Sequence, residues 1–294
     1  MSYFCHYFLN MILIKLLSRL PLFILYGIST LTYLVIYYIV GYRKKVVFNN
    51  IRNAFPDKNE KEVKALAKQF YKNFTDFIVE VLKEVTISKE ELNKRVQFKN
   101  TEEVERFHSE GKSIVILATH QFNWEWALVA GCAQLPFPFD AIYKPLSNPK
   151  FEKLMYDTRS RFGGNPIPKD NALMEIMKTA KRLKAVAINA DQVPTRQNKD
   201  LYWTKFLNQD TAFFSGSERI PKLTKYPVFF LGVRKVKRGY YEVELIKLGE
   251  APYQKDGFGI LDAYVKASEE LILQDPTGWL WSHKRWKYKK PLYA

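Results

Sequence analysis

His120 and Glu125 lie five positions apart at the exit of an apolar run, Ser113 to Ala118, that reads as a buried strand. On a regular helix five positions turn through about 500°, which would leave the two side chains about 140° apart rather than on one face. They meet only if a helix begins between them. Asn123 suits an N-cap, and Glu125 then falls in the first turn, where the helix dipole favours negative charge, ahead of Trp126-Ala127-Leu128-Val129-Ala130. On this reading His120 sits at the carboxyl end of the strand and Glu125 reaches back to it. A carboxylate on one ring nitrogen fixes the tautomer and leaves the other nitrogen free to take a proton from a hydroxyl. The expected chemistry is general-base catalysis, with Glu125 orienting His120.

Further polar groups fall where such a site would need them. Arg159 and Arg161 precede Gly163-Gly164 and either cap helix carbonyls or hold a phosphate or a developing oxyanion. Asp191-Gln192 leaves a second buried run, Ala185 to Ala190, where a carboxylate could bond an arginine or hold a loop over the site. Ser215-Gly216 opens another helix whose backbone N–H groups could face an anion; capping explains the small residues equally well. The sequence contains no G-x-S-x-G, no P-loop, no G-x-G-x-x-G and no clustered His/Cys pattern, which argues against serine hydrolases, ATPases, dinucleotide enzymes and zinc enzymes. Cys5 and Cys132 are the only cysteines, so no disulfide framework is expected.

The elements that must carry these residues show in the patterning. Leu20 to Tyr42 holds no charged residue and is long enough to cross a hydrocarbon core of about 30 Å. The apolar residues between Phe4 and Leu17 leave open a segment that lies along the surface instead. Arg43-Lys44-Lys45 follows and places the downstream chain on the cytoplasmic face by the positive-inside tendency, although Lys15 and Arg19 weigh on the other flank. Val46 to Phe55 reads as a short helix stopped by Pro56, and Asn59 to Val85 as a long one. From Val96 onward short apolar runs alternate with helices: Ser113 to Ala118, Phe139 to Tyr143, Ala185 to Ala190, Val228 to Val233 and Tyr241 to Ile246. That alternation predicts an α/β fold with a mostly parallel sheet flanked by helices, finished by an antiparallel pair across Arg238-Gly239. Ligands of such sheets gather at the carboxyl ends of the strands, where His120 and Asp191 fall.

The formal net charge of +16 calls for an acidic partner, and next to a membrane segment anionic lipid is the simplest. The closing run from Trp279 to Lys290 interleaves Trp and Tyr with cations, as an interface-seeking segment would; no nucleic-acid fold motif accompanies it.

Several separated pieces together resemble the bacterial lipid A late acyltransferases. They are His120-x4-Glu125, Tyr143-Lys144-Pro145 with Asn148-Pro149, Arg159-x-Arg161-x-Gly163, Asp191-Gln192, Phe214-x-Gly216 and Trp281-x-His283-x-Arg285-Trp286-Lys287, in the family's order. The anchor followed by Asn49-x3-Asn53-Ala54-Phe55-Pro56 is also similar. The resemblance implies a glycerolipid-acyltransferase-like fold and transfer of an acyl chain from acyl carrier protein to a hydroxyl of a lipid A precursor at the bacterial inner membrane. His120 and Glu125 would be catalytic, and Arg159, Arg161, Asp191, Gln192, Ser215 and Gly216 would serve substrate, phosphate or oxyanion. No metal or separate cofactor is implied, since phosphopantetheine arrives as part of the acyl carrier protein. The expected organisation is an anchor over 1–42 and one catalytic domain over 43–294, with a helical cover at 46–95. Three rivals remain: the same transfer onto an amino-acid lipid, lysophospholipid or glycolipid; a thioesterase using His120 on water; and a non-catalytic membrane-surface protein.

Overall fold

The computed structural model describes residues 12–194 and 201–289. The early part of the Phe4 to Leu17 stretch, most of the polar stretch after Pro194 and the end of the basic tail lie outside these residues.

Strand β2 (Ile114–Ala118), buried at every position, is the middle of a seven-stranded sheet. The other members are β1 (Val96–Lys99), β3 (Phe139–Tyr143), β4 (Gly164–Pro168), β5 (Ala185–Asn189), β8 (Val228–Lys237) and β9 (Tyr240–Gly249), in the spatial order β1-β9-β8-β2-β5-β3-β4. Every neighbouring pair is parallel except β8 with β9, which turn about Gly239. The mostly parallel sheet and its antiparallel pair are thus as the sequence predicts, and all five predicted runs are strands. Parallel strands covered on both sides read as continuous apolar runs, and Ile114-Val115-Ile116-Leu117-Ala118 is such a run.

Three strand features were not predicted, the first being the short edge strand β1, which pairs in parallel with β9. Gly164-Asn165-Pro166-Ile167-Pro168 pairs only with β3 and forms the sheet edge, where prolines do not cost a ladder bond. A separate antiparallel hairpin joins β6 (Leu201–Phe206) to β7 (Gln209–Phe214) through Leu207-Asn208, both at positive φ, the backbone of a tight two-residue turn.

Helices close both faces. On one face Val115, Leu117 and Phe230 meet Tyr264 and Leu261 of α10 (Gly259–Gln274); on the other Ile114, Ile116 and Phe229 meet Trp126 and Val129 of α6 (Trp124–Gln134). The long helix α3 (Glu60–Glu84) contributes Val63, Ala67 and Phe70 to the first cluster and Val79 to the second. Its start carries a capping box in which Asn59 and Glu62 satisfy each other's backbone N–H. The preceding α2 (Lys44–Ala54) ends one residue before Phe55, ahead of Pro56.

Residues 22–40 form a continuous apolar helix, α-helical over Leu22–Leu34 (α1) and π-helical over Val35–Val40. Among the described residues it is the one helix long and apolar enough to cross a membrane. Its inner face packs on α3 through Leu22, Leu25, Ser29 and Tyr33, and Ser29 donates to Asp76 at 2.6 Å. Its outer face leaves Phe23, Leu31, Ile39 and Val40 bare, at 64–78% exposure. The apolar helix is therefore docked along one side of the sheet-and-helix fold instead of standing apart from it.

Candidate active site

The turn between β2 and α6 is built as the sequence predicts at its centre. Asn123 is the N-cap, accepting from the Trp126 N–H at 2.9 Å, and Glu125 sits in the first turn. Phe122 adopts φ +47, a left-handed conformation that costs energy for a bulky side chain. It is held there from the far end of the chain. The Phe122 N–H donates to the Gly278 carbonyl at 2.9 Å, the Leu280 N–H donates to the His120 carbonyl at 3.1 Å, and Gln121 bridges to Trp279. A side chain on Gly278 would run into the Phe122 ring, its Cβ lying 2.6 Å from three ring carbons.

His120 does not turn to Glu125. Its Nδ1 faces Asp191 Oδ1 at 2.6 Å and its backbone N–H donates to Asp191 Oδ2 at 2.9 Å. This is possible because β2 and β5 are adjacent and in register, Ala118 opposite Asn189, so both chains leave the sheet side by side. The Trp279 indole donates to Asp191 Oδ2 at 2.8 Å, which completes the carboxylate's shell. Burial alone would raise the Asp191 carboxyl, but the His120 imidazole, the His120 backbone N–H and the indole hold it down at about 2. An ionised Asp191 makes Nδ1 the protonated nitrogen, leaving Nε2 with its lone pair. That Nε2 lies 3.0 Å from the exposed amide of Gln192. The ring is 14% exposed and Asp191 only 2%, so one side of the pair is sealed and the other reachable. Trp124 meets the imidazole edge-on, with centroids 4.8 Å apart, and itself stacks on Phe77.

The expected contact from Glu125 to His120 is thus corrected. Glu125 lies in the fork of Arg159, with Nε and Nη2 of the arginine at 2.9 and 2.7 Å from its two oxygens. An arginine fork matches both carboxylate oxygens at once, a geometry one imidazole nitrogen cannot supply. Burial raises the Glu125 carboxyl, and Arg159, with smaller help from His120 and Trp124, turns the net shift downward. Glu84 lies fully buried beside this pair with neither oxygen hydrogen-bonded, and burial together with Glu125 pushes its carboxyl well above the carboxylate range, which favours the protonated form.

The remaining predicted residues separate. Arg161 donates both terminal nitrogens to the carbonyls of Glu84 and Ile87 at the end of α3, and so caps that helix instead of facing a phosphate or oxyanion. Ser215 precedes α9 (Gly216–Thr224) and is buried, with its carbonyl taken by the N–H groups of Glu218 and Arg219. Among the described residues no hydrogen bond joins Ser215 or Gly216 to His120 or Asp191, and Gly216 is needed because a Cβ there would meet the Phe214 ring at 2.1 Å. No group of three or more His, Cys, Asp or Glu is placed to hold a metal among the described residues.

The closing aromatic and basic run is corrected as well. Trp279 and Trp281 are 2% and 0% exposed, and Arg285 is buried against Phe213 and donates to the Ala212 carbonyl at 2.6 Å. These residues are core and clamp, not a membrane-facing belt. His283 lies close enough to Asp191 and His120 to feel both charges, and burial lowers it to about 4, so it is neutral near pH 7. Sequence reading also missed Glu80. It is completely buried and receives hydrogen bonds from Asn123, Tyr241 and Tyr26 at 2.7–2.8 Å, while its carbonyl accepts from the Trp126 indole. Glu80 locks α3 to the N-cap of the motif helix. Its only trace in the sequence is a carboxylate beside the apolar stripe of α3.

A reachable imidazole backed by a buried carboxylate thus lies at the carboxyl ends of adjacent parallel strands of an α/β sheet, a geometry that suits general-base chemistry. Residues 1–288 match the family model described as bacterial lipid A biosynthesis acyltransferase. Over 239 residues the chain is 23% identical to a lipid A biosynthesis acyltransferase of Haemophilus influenzae, covering 79% of this chain and 72% of the relative. The chain belongs to the bacterial lipid A biosynthesis acyltransferase family and is an acyltransferase.

Proposed function

We propose that this acyltransferase moves a fatty acyl chain from acyl carrier protein to a hydroxyl of a lipid A precursor, a secondary acylation in lipopolysaccharide lipid A biosynthesis, at the cytoplasmic face of the bacterial inner membrane. The observation that carries the reading is the asymmetry of His120: Nδ1 is committed to buried Asp191, and Nε2 points to the exposed side. A hydroxyl that displaces the Gln192 amide from Nε2 gives up its proton there, and its oxygen attacks the thioester carbonyl. The C–S bond then breaks, and the imidazolium returns the proton to the departing phosphopantetheine thiolate. Asp191 supports the imidazolium throughout, and no acyl-enzyme is needed. The displaced Gln192 amide is within reach of the reacting atoms and is the best-placed side-chain donor for the tetrahedral oxyanion, a role worth about 3–4 kcal/mol elsewhere. Glu125 acts through Arg159 and fixes the position of the motif helix.

Two features support a lipid acceptor. The bare outer face of residues 22–40 suits hydrocarbon, and α2 with Arg43, Lys44 and Lys45 follows at once, as anionic lipid requires. The basic surface also suits acyl carrier proteins, which are acidic.

The test is acyl transfer in purified membranes supplied with acyl carrier protein thioester and a lipid A precursor. Wild-type protein transfers the chain and His120→Ala does not. A His120→Ala variant with near wild-type transfer overturns the base, and lipid A that keeps all its acyl chains after gene deletion overturns the acceptor.

A further inference from the structure

A second cavity lies away from the His120 imidazole, and its lining has a chemistry of its own. It measures about 810 Å³ and is bounded by α2, by the β6–β7 hairpin and by the residues after His283. That volume is in the range of a small-molecule site, about 300–1,000 Å³. Its polar lining includes Asn49 and Asn53 of α2, Asn208 and Gln209 of the hairpin, and the exposed lysines Lys284, Lys287 and Lys289. The one acidic residue in its wall, Asp210, is already paired with Lys205 at 3.0 Å. Among the described residues none of Lys284, Lys287 and Lys289 has a carboxylate within ion-pair distance. Three ammonium groups therefore line one cavity without a neighbouring carboxylate, which gives the cavity a positive potential that attracts an anion.

The cavity is tied to two other places. Trp286 forms part of its wall, packs on Trp279 with ring centroids 5.7 Å apart, and Trp279 holds Asp191. The cavity is thus two indole rings from the catalytic carboxylate. On its other side, Val46 lies in the first turn of α2, six residues beyond Val40, and Tyr38, Ile39 and Val40 end the bare apolar helix at 56–78% exposure. The lining residues Val46, Asn49 and Asn53 thus follow the end of the apolar helix closely in the chain, after the left-handed turn at Gly41 and Arg43.

We propose that this cavity binds the phosphate of a phosphorylated lipid headgroup, with Lys284, Lys287 and Lys289 as its counter-charges and the Asn49 and Asn53 amides as added donors. In the acyl-transfer reading above, this is the acceptor's headgroup, anchored while its hydroxyl reaches His120. The phosphodiester of the pantetheine arm on the acyl donor offers similar chemistry, and the nearby end of the apolar helix favours the lipid.

The experiment is calorimetric titration of the full chain in neutral detergent micelles, without acyl donor. The probe is a phosphorylated diacyl disaccharide lipid, and the control is the same lipid after phosphatase treatment. The wild-type protein and His120→Ala bind the phosphorylated probe alike, and the Lys284→Gln/Lys287→Gln variant binds it about thirtyfold more weakly, at near 1 kcal/mol per lysine. The dephosphorylated probe binds wild type and the double variant equally. Equal binding of the phosphorylated probe by wild type and the double variant overturns the proposal, as does a lysine effect that survives removal of the phosphate. In steady-state transfer assays the double variant raises KM for the acceptor and leaves KM for the carrier-bound donor unchanged; the reverse pattern assigns the cavity to the donor and also overturns it. Phosphate-dependent binding without acyl transfer would instead leave the cavity standing and remove the reaction.

Discussion

The histidine and the glutamate of the His-x4-Glu motif occupy different kinds of site. His120 forms an open pair, with a buried carboxylate on one nitrogen and an exposed amide on the other. Glu125 forms a closed pair, both oxygens held by Arg159, with the buried Glu84 carboxyl beside it. An open pair can exchange a proton with a visitor; a closed ion pair in a buried setting fixes geometry. Two residues that read as one unit in the sequence thus have separate partners, and on the proposed mechanism they divide into chemistry and support, His120 taking its carboxylate from 71 positions later.

The largest expected effect separates the two sites by activity. His120→Ala lowers kcat by about 10³–10⁴-fold and Asp191→Asn by about 10²–10³-fold, each with little change in acceptor KM, measured with a carrier-bound acyl donor. Equal activity in Asp191→Asn and wild type would break the open pair.

The closed pair is expected to show itself in stability. Glu125→Gln leaves the Arg159 guanidinium without its counter-charge and costs about 3 kcal/mol by denaturant unfolding in micelles, and Glu125→Gln/Arg159→Met recovers most of that. A double variant as unstable as the single one would show that the pair is not the support.

His283, between the clamp and the base, gives the pH dependence. Its folded value is depressed to about 4 from an ordinary 6.5. Below pH 6.5 the unfolded chain takes up a proton that the folded chain refuses, so stability is lost as pH falls from about 6.5 to about 4, by at most about 3 kcal/mol. His283→Gln flattens the unfolding midpoint across that window, and an unchanged slope contradicts the assignment.

A smaller effect probes the far end of the dyad. Trp279→Phe removes the indole hydrogen bond to Asp191 Oδ2, worth about 1.5 kcal/mol for a charged acceptor, and lowers kcat about tenfold with acceptor KM unchanged. No loss of kcat would detach the clamp from the catalytic pair.

How far the sequence reveals this depends on how local the signal is. The apolar runs of β2, β3, β5, β8 and β9, the Asn123 cap and the long helix from Asn59 are written in neighbouring residues, and the structure agrees with each. The edge strand Gly164–Pro168 was hidden because its prolines suit a loop as well as an edge. The partner of His120 was hidden for a different reason. Asp191 stands out in the sequence only as a carboxylate leaving a buried strand, and its pairing with His120 follows from β5 lying next to β2, a tertiary fact. The tryptophans at 279 and 281 misled because interleaved Trp and Lys describe a membrane belt and a buried clamp with cationic edges equally well. Glu80 and Glu84 lie on an apolar helix where their burial depends wholly on what packs above them.

The most direct test of the account is the ring N–H proton of His120 in micelles, observed by nitrogen-edited NMR of wild type, Glu125→Gln and Asp191→Asn. The account predicts a low-field Nδ1–H resonance from the 2.6 Å contact that survives Glu125→Gln and vanishes in Asp191→Asn. A resonance lost in Glu125→Gln and retained in Asp191→Asn would contradict it and return Glu125 to the side of the base.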